Sequence, residues 1–278
     1  MDKNIESILL SLTNSEKILN LELIQKLWSG YGSLTRVTLD NNSVIAKLIK
    51  FPNIQEHPRG WNSDLSHQRK AKSYRVEINW YKEHNNEVKD AYSPRYISSG
   101  ESNDTKYLIL EDLRQKGFVP KNSINLKQVK LCLKWLANFH AKYLGTTPNG
   151  LWQMGTYWHL DTRPEELMVL ADEELKRAAP LIDQKLNSSK FQTLVHGDAK
   201  LANFLFNQNE VSAVDFQYVG GGVGVKDLAY FLSSIYNENE LYQYEKQHLD
   251  YYFQELNMAL NSFNFTIDSP LLEKEWSK

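Results

Sequence analysis

One stretch, LVHGDAKLANFLFNQNEVSAVDFQYVGGG at residues 194–222, constrains the fold of this chain more than any other. It sets Asp198, Asn203 and Asp215 among apolar runs such as Phe204-Leu205-Phe206 and Val211 to Val214. Carboxylates are seldom fully buried without a partner, so a fold that buries these runs must also bring the acids a cation or a donor. Thr193-Leu194-Val195 reads as a short strand, Asp198 follows in a loop, and Asp215 ends the next strand twelve residues after Asn203. A hairpin of that length can bring Asn203 and Asp215 side by side at one end. Together they offer hard oxygen donors, which suit Mg2+ better than zinc. Asp198 could stay off the metal and accept a hydroxyl proton, the division of labour that phosphoryl transfer requires.

The rest of the chain frames that segment. Ile5, Ile8, Leu9 and Leu12 recur at helical spacing, and Thr13-Asn14-Ser15-Glu16 has capping-box spacing that predicts a second helix. From Leu27 the pattern changes: Leu34 to Leu39 and Ser43 to Phe51, joined by Asp40-Asn41-Asn42, predict a β-hairpin. Residues 52–65, with two prolines and a glycine, read as a loop. A helix is expected over Arg69 to Glu83, with Tyr74, Ile78 and Tyr81 on one side and Glu77 within it. Arg95 to Ser98 and Lys106 to Glu111 predict another hairpin. Helical patterns then dominate, at 126–143, 165–179, 225–236 and 241–263. The order is a small strand-rich lobe, a connection near 111–120, and a larger helical lobe carrying one inserted hairpin. A cleft between two lobes is where small ligands usually bind.

Composition narrows the partners. With 32 Lys and Arg against 34 Asp and Glu, the net charge of −2 argues against nucleic acid, which calls for a clustered basic excess. No apolar run approaches the ~18 residues of a membrane span, so no membrane partner is expected. The start, Met1-Asp2-Lys3-Asn4-Ile5-Glu6, lacks a signal peptide's basic and apolar regions. Cys132, the single cysteine, reads as a small core residue in a reducing compartment, and a cytoplasmic location is expected.

HGDAKLAN (196–203) followed by VDFQ (214–217) resembles the HGDxxxxN loop and metal motif of the aminoglycoside phosphotransferase/choline kinase superfamily. SYRVEINWY (73–81), LILEDL (108–113), LANFHAKYL (136–144) and VDFQYVGGGVGVKDLAYFL (214–232) look most like its ecdysteroid-kinase-like branch, also called CHK kinase-like. The resemblance covers roughly residues 27–260 and implies an α+β, bilobal protein-kinase-like fold. Residues 1–111 would form an N-lobe with a small antiparallel sheet, and residues 112–278 a mostly helical C-lobe. The implied activity is ATP- and Mg2+-dependent phosphorylation of a hydroxyl on a small-molecule alcohol. By the same resemblance Asp198 is the general base, Lys200 touches the transferred phosphate or pairs with Asp198, and Asn203 and Asp215 hold Mg2+. Lys47 contacts the nucleotide phosphates and is fixed by Glu77, while Gly30 and Gly32 cover the phosphates. Glu111 to Leu113 form the hinge that binds adenine through its backbone, and Asp227 braces the loop from below. Residue 217 is Gln where many aminoglycoside kinases carry an acid, a choice the ecdysteroid-kinase-like branch tolerates.

Blander readings stand beside these. His196 is expected to hold the loop and His140 to be a packed core histidine. GGGVG (220–224) reads as a flexible turn, since it lacks dinucleotide-fingerprint spacing, and Asp172-Glu173-Glu174 as a solvated helix face. Trp152, Tyr157, Trp158 and His159 are balanced between packing and a substrate wall. The sparse glycine loop, and relatives that continue past LLEKEWSK, leave open a non-catalytic nucleotide-binding kinase-like protein. A protein kinase is disfavoured, because no Ala-Pro-Glu segment follows Asp215.

Overall fold

Asp2 accepts a hydrogen bond from the Asn4 N–H and so opens helix α1, Lys3–Thr13, in a computed structural model that describes residues 2–27, 30–51, 64–86, 88 and 90–277. Ile5 and Leu9 of α1 bury themselves against Val37, Leu39, Val44, Ala46, Tyr107 and Ile109. Each such burial is worth about 2 kcal/mol. The second helix expected from Thr13 to Glu16 does not form; the chain enters a strand, β1, Ile18–Lys26. The capping groups are engaged elsewhere. Ser15 Oγ donates to Asn41 Oδ1 (2.7 Å), the Glu16 N–H to Asp40 Oδ2 (3.2 Å), and Asn41 Nδ2 to the Thr13 and Asn14 carbonyls. A local helix signal thus lost to contacts with a turn more than twenty residues away.

That turn joins β2, Gly32–Leu39, to β3, Ser43–Ile49, the first expected hairpin. The second pairs β4, Tyr96–Ser102, with β5, Thr105–Glu111. All four, with β1, make one antiparallel sheet in the order β1-β2-β3-β5-β4. Helix α2, Asp64–Asn79, runs into a widened last turn, Trp80–His84, and carries Glu77 beside β3. It starts earlier than expected, so Asp64 and Leu65 are helical rather than loop; residues 52–63 of that expected loop lie outside the described residues.

The connection follows β5 directly. Asp112 caps a short 3-10 turn, Leu113–Lys116, and its buried carboxylate accepts from Arg36 Nε (2.8 Å) and Ser43 Oγ (2.6 Å). The chain is thereby pinned to β2 and β3 as it leaves the sheet. Strand β6, Val119–Pro120, then leads to α3, Leu126–Lys142, which opens on an Asn125/Gln128 capping box. Cys132, Leu133, Trp135, Leu136 and Phe139 of α3 are essentially inaccessible and centre the larger core. The Trp135 indole N–H donates to the Tyr92 carbonyl (2.8 Å), tying this core to the segment before β4.

The single helix expected over 165–179 is two, α4, Pro164–Met168, and α5, Glu173–Asn187. Asp172 takes the Glu174 and Leu175 N–H groups (3.0 and 2.9 Å) and so begins a new helix instead of continuing the old one. The inserted hairpin is also richer than expected. Strand β7, Thr193–Val195, pairs with β10, Gly220–Gly222, and β8, Phe204–Phe206, pairs with β9, Val211–Ala213. The expected turn at 220–224 is therefore a strand for its first three residues. A Cβ on Gly220 would lie 2.1 Å from the Trp152 carbonyl oxygen, so glycine is what admits that neighbouring backbone. Helices α6, Val225–Ser233, α7, Glu238–Ser262, and α8, Ser269–Trp276, complete the lobe. No helix among the described residues is long and apolar enough to cross a membrane.

Candidate active site

The loop after β7 is held from beneath by one residue of α6. Asp227, almost wholly buried, accepts from the His196 N–H (2.6 Å) and the Gly197 N–H (2.9 Å) and meets His140 Nε2 at 3.1 Å. His140 is completed by Tyr252 at Nδ1 (2.8 Å). Burial pushes the Asp227 carboxyl up, but the His140 hydrogen bond and the charge around it hold it below the usual aspartate value. His196, also buried, bonds the Val214 carbonyl through Nε2 (3.0 Å) and receives the Asp198 N–H at Nδ1 (3.3 Å). Both histidines are structural parts of the loop and its support.

On the loop's other side Asp198 is clamped through one oxygen. Asn203 Nδ2 donates to Asp198 Oδ2 (2.9 Å) and to the Asp198 carbonyl (2.8 Å), and Lys200 Nζ sits 2.8 Å from the same Oδ2. Burial disfavours the Lys200 charge, yet Asp198 holds its pKa above the ordinary lysine value. Both amide hydrogens of Asn203 face Asp198, which turns the amide oxygen away from it. Asp198 Oδ1 is buried and makes no direct hydrogen bond among the described residues. A buried acceptor left so costs about 1–3 kcal/mol, which marks it for a donor. The half-buried phenol of Tyr230 on α6 stands near enough for Asp198, after burial, to raise its pKa.

Asp215 is delivered by the residue beside it. Phe216 is fully buried, stacked on Trp80 (4.8 Å) and against His196 (4.5 Å), and the Val214 N–H bonds the Asn203 carbonyl (2.9 Å). Asp215 itself has φ +67°, a left-handed conformation uncommon outside glycine and concentrated at functional sites. Its carboxylate meets Lys47 of β3 at 3.1 Å, while Lys47 is paired with Glu77 at 2.6 Å. One buried ammonium thus serves two carboxylates. Burial opposes the Lys47 charge, but Asp215 and Glu77 raise its pKa above the ordinary lysine value. Glu77, deeper, is pushed up to about 7 by burial against the pull of Lys47. Asp215, 36% exposed in its side chain, resists burial and is held down to about 2, chiefly by Lys47.

Sequence reasoning missed the side chains that fix Asp215 laterally. Gln217 Nε2 donates to Asp215 Oδ1 (2.7 Å), and Gln217 Oε1 accepts from Lys70 Nζ (2.8 Å) and Ser73 Oγ (3.2 Å). The signal was present: Lys70, Tyr74 and Glu77 recur at i, i+4 and i+7 and so share one face of α2.

The remaining expected residues have these surroundings. Gly32 has φ +131°, and a Cβ there would lie 1.9 Å from the Leu48 carbonyl oxygen, so its missing side chain serves the approach of β2 to β3. Gly30 has φ +73°, and no atom of the described residues stands within 4 Å of where its Cβ would be; Trp28 and Ser29 before it lie outside the described residues. The Glu111 carboxylate is taken by Tyr92, the Arg95 N–H and Lys116, and its backbone N–H donates to the Arg95 carbonyl (3.0 Å). The Leu113 carbonyl accepts from the Phe118 N–H (3.2 Å). The aromatic cluster divides: Trp152 is packing, bonded to the Gln217 carbonyl (2.8 Å), whereas Trp158 is 54% exposed beside Tyr157 and Arg163.

Among the described residues no three His, Cys, Asp or Glu side chains cluster as a metal cage. Mg2+ takes one or two protein oxygens together with substrate phosphates. The outward amide oxygen of Asn203 and the Asp215 carboxylate fit such a set. The model of the ecdysteroid kinase-like family matches residues 43–144 and 153–265, most of the chain. The chain belongs to this family. No curated protein matches it in sequence. Solved structures show the fold of this family member to be kinase-like. An amicoumacin kinase, hAmiN, in complex with AMP-PNP, Ca2+ and Ami aligns at TM-score 0.54 and 14% identity over 99% of this chain and 86% of its own. A microcompartment-associated aminopropanol kinase aligns at 0.53 and 16% over 98% and 93%. The spectinomycin phosphotransferase APH(9)-Ia, with ADP and its antibiotic, aligns at 0.51 and 11% over 99% and 84%.

Proposed function

We propose that this protein transfers the γ-phosphate of ATP, with Mg2+, to a hydroxyl group of a small molecule. The observation that carries the reading is Asp198, whose Oδ2 is locked by Asn203 and Lys200 while its buried Oδ1 makes no direct hydrogen bond among the described residues. An acceptor hydroxyl fills that need. Its oxygen forms the new bond to the γ-phosphorus, the bond from that phosphorus to the β–γ bridging oxygen breaks, ADP leaves, and the hydroxyl proton passes to Asp198 Oδ1. Asn203 and Asp215 would hold Mg2+, which when bound neutralises charge on the phosphates. Lys47, steadied by Glu77, contacts those phosphates, and Lys200 stands by Asp198 to meet the transferred group.

Adenine contact falls to the Glu111 carbonyl and the Leu113 N–H, because the Glu111 N–H and Leu113 carbonyl are engaged within the chain. Gly30 flanks the phosphate end, and Gly32 supports it through the sheet. The lobe boundary falls at 111/112, where buried Asp112 pins the crossing. The named small-molecule acceptors of the structural neighbours favour such an acceptor here, and exposed Trp158 with Tyr230 forms a wall near Asp198. The net charge of −2 and buried lone cysteine suit a cytoplasmic enzyme without a nucleic-acid partner. The test is a panel of alcohols, sugars, amino alcohols and sterols incubated with ATP and Mg2+ and read by mass spectrometry. At least one phosphorylated product, absent when the metal is chelated, is expected. Nucleotide binding without transfer to any class would instead make the protein a non-catalytic nucleotide-binding relative.

A further inference from the structure

Three ammonium groups surround Asp215, and they are not matched alike. Lys47 has Glu77 and Asp215, and Lys200 has Asp198. Lys70 forms no ion pair among the described residues; its hydrogen bond goes to the neutral amide oxygen of Gln217, and it lies 4.7 Å from the centre of the Tyr74 ring. Burial, and then the like charge of Lys47, pull it down to about 8 against the weaker pull of Asp215, Glu77 and Asp198. A buried cation beside a second cation is costly unless an anion arrives. Gln217 explains why no acidic group among the described residues closes on it. Its amide nitrogen holds Asp215 and its oxygen holds Lys70, so the side chain spaces the two charges apart. Gln at this position thus leaves Lys70 positioned and uncommitted, where a carboxylate would form an ion pair with it.

We propose that Lys70 is a phosphate-binding residue that presents its ammonium, alongside Lys47, to the phosphate chain of the nucleotide. This rests on the nucleotide reading above. A charged hydrogen bond of this kind is worth roughly tenfold to a hundredfold in affinity. The test measures binding of tripolyphosphate and, separately, of adenosine by calorimetry in the presence of a chelator, for the wild type, Lys70→Met, Gln217→Glu and Lys72→Met. Lys72 is the control, since it covers the Trp152 ring at 4.2 Å. Lys70→Met is expected to weaken tripolyphosphate about tenfold or more and leave adenosine within twofold. Gln217→Glu, which captures Lys70 in an ion pair, should do the same with no lysine removed, and so carries the test if Lys70→Met folds poorly. Unchanged tripolyphosphate affinity in either folded variant overturns the proposal, as does equal loss of adenosine, which would mark a structural role. Wild-type protein that binds adenosine but not tripolyphosphate also overturns it. Wild-type protein that binds neither would defeat the nucleotide reading itself.

Discussion

The 196–203 loop is flanked by two buried aspartates that are treated in opposite ways. Beneath it, Asp227 uses both oxygens: two backbone N–H groups and His140 meet them at 2.6 to 3.1 Å. Above it, Asp198 has one oxygen locked by Asn203 and Lys200 and the other buried with no direct hydrogen bond among the described residues. Similar burial, at 1% and 4% exposure, therefore does not mean similar purpose. A satisfied carboxylate stabilises the fold. One held by a single oxygen is prepared for something that arrives later, and the fold tolerates its cost because Asp227 and the Phe216 packing fix the loop regardless.

That contrast can be broken in a defined order. The larger effect on stability is expected at Asp227. Asp227→Asn replaces an acceptor for two buried N–H groups with an amide that can accept only at one oxygen, and should cost about 2–4 kcal/mol in urea unfolding. Loss of under ~0.5 kcal/mol, the size of an ordinary surface change, would remove the brace from the account. A smaller effect is expected with pH. The folded Asp227 carboxyl is held below its ordinary 3.8, so the unfolded chain binds its proton first as acid is added. The stability it contributes is complete above that ordinary value and is lost as pH falls through it towards the folded one. Urea midpoints measured from pH 6 to pH 3 should fall less steeply for Asp227→Asn than for the wild type. Parallel curves would mean that Asp227 is not a source of the acid sensitivity.

How much of this was visible in the sequence depended on range. Both hairpins of the N-terminal sheet and the long α3 could be read from local periodicity, and the spacing of Asp198, Asn203 and Asp215 pointed to one site. The Lys47–Glu77 pair, 30 positions apart, came from family resemblance rather than from pattern, and the structure brings it to 2.6 Å. What could not be read is set by contacts across the chain. The capping groups before β1 were taken by the distant β2–β3 turn, and Gly220 to Gly222 became a strand because β7 and the Trp152 backbone close on it. The close approach of the Leu48 carbonyl to Gly32 was likewise not legible in the sequence. Asp112, Lys70 and Tyr230 gain their surroundings only from residues distant in the chain: Arg36 and Ser43, Gln217, and Asp198. The helical spacing of Lys70 with Glu77 was the one local hint among them.

The central claim is that the open oxygen of Asp198 takes the acceptor's proton, and Asp198→Asn tests it most directly, since it keeps the shape of the side chain. With an alcohol that the wild type phosphorylates, the substitution should cut turnover about a hundredfold to ten-thousandfold while nucleotide affinity and melting temperature stay near wild type. Turnover within a few fold of the wild type in the folded variant would contradict the account.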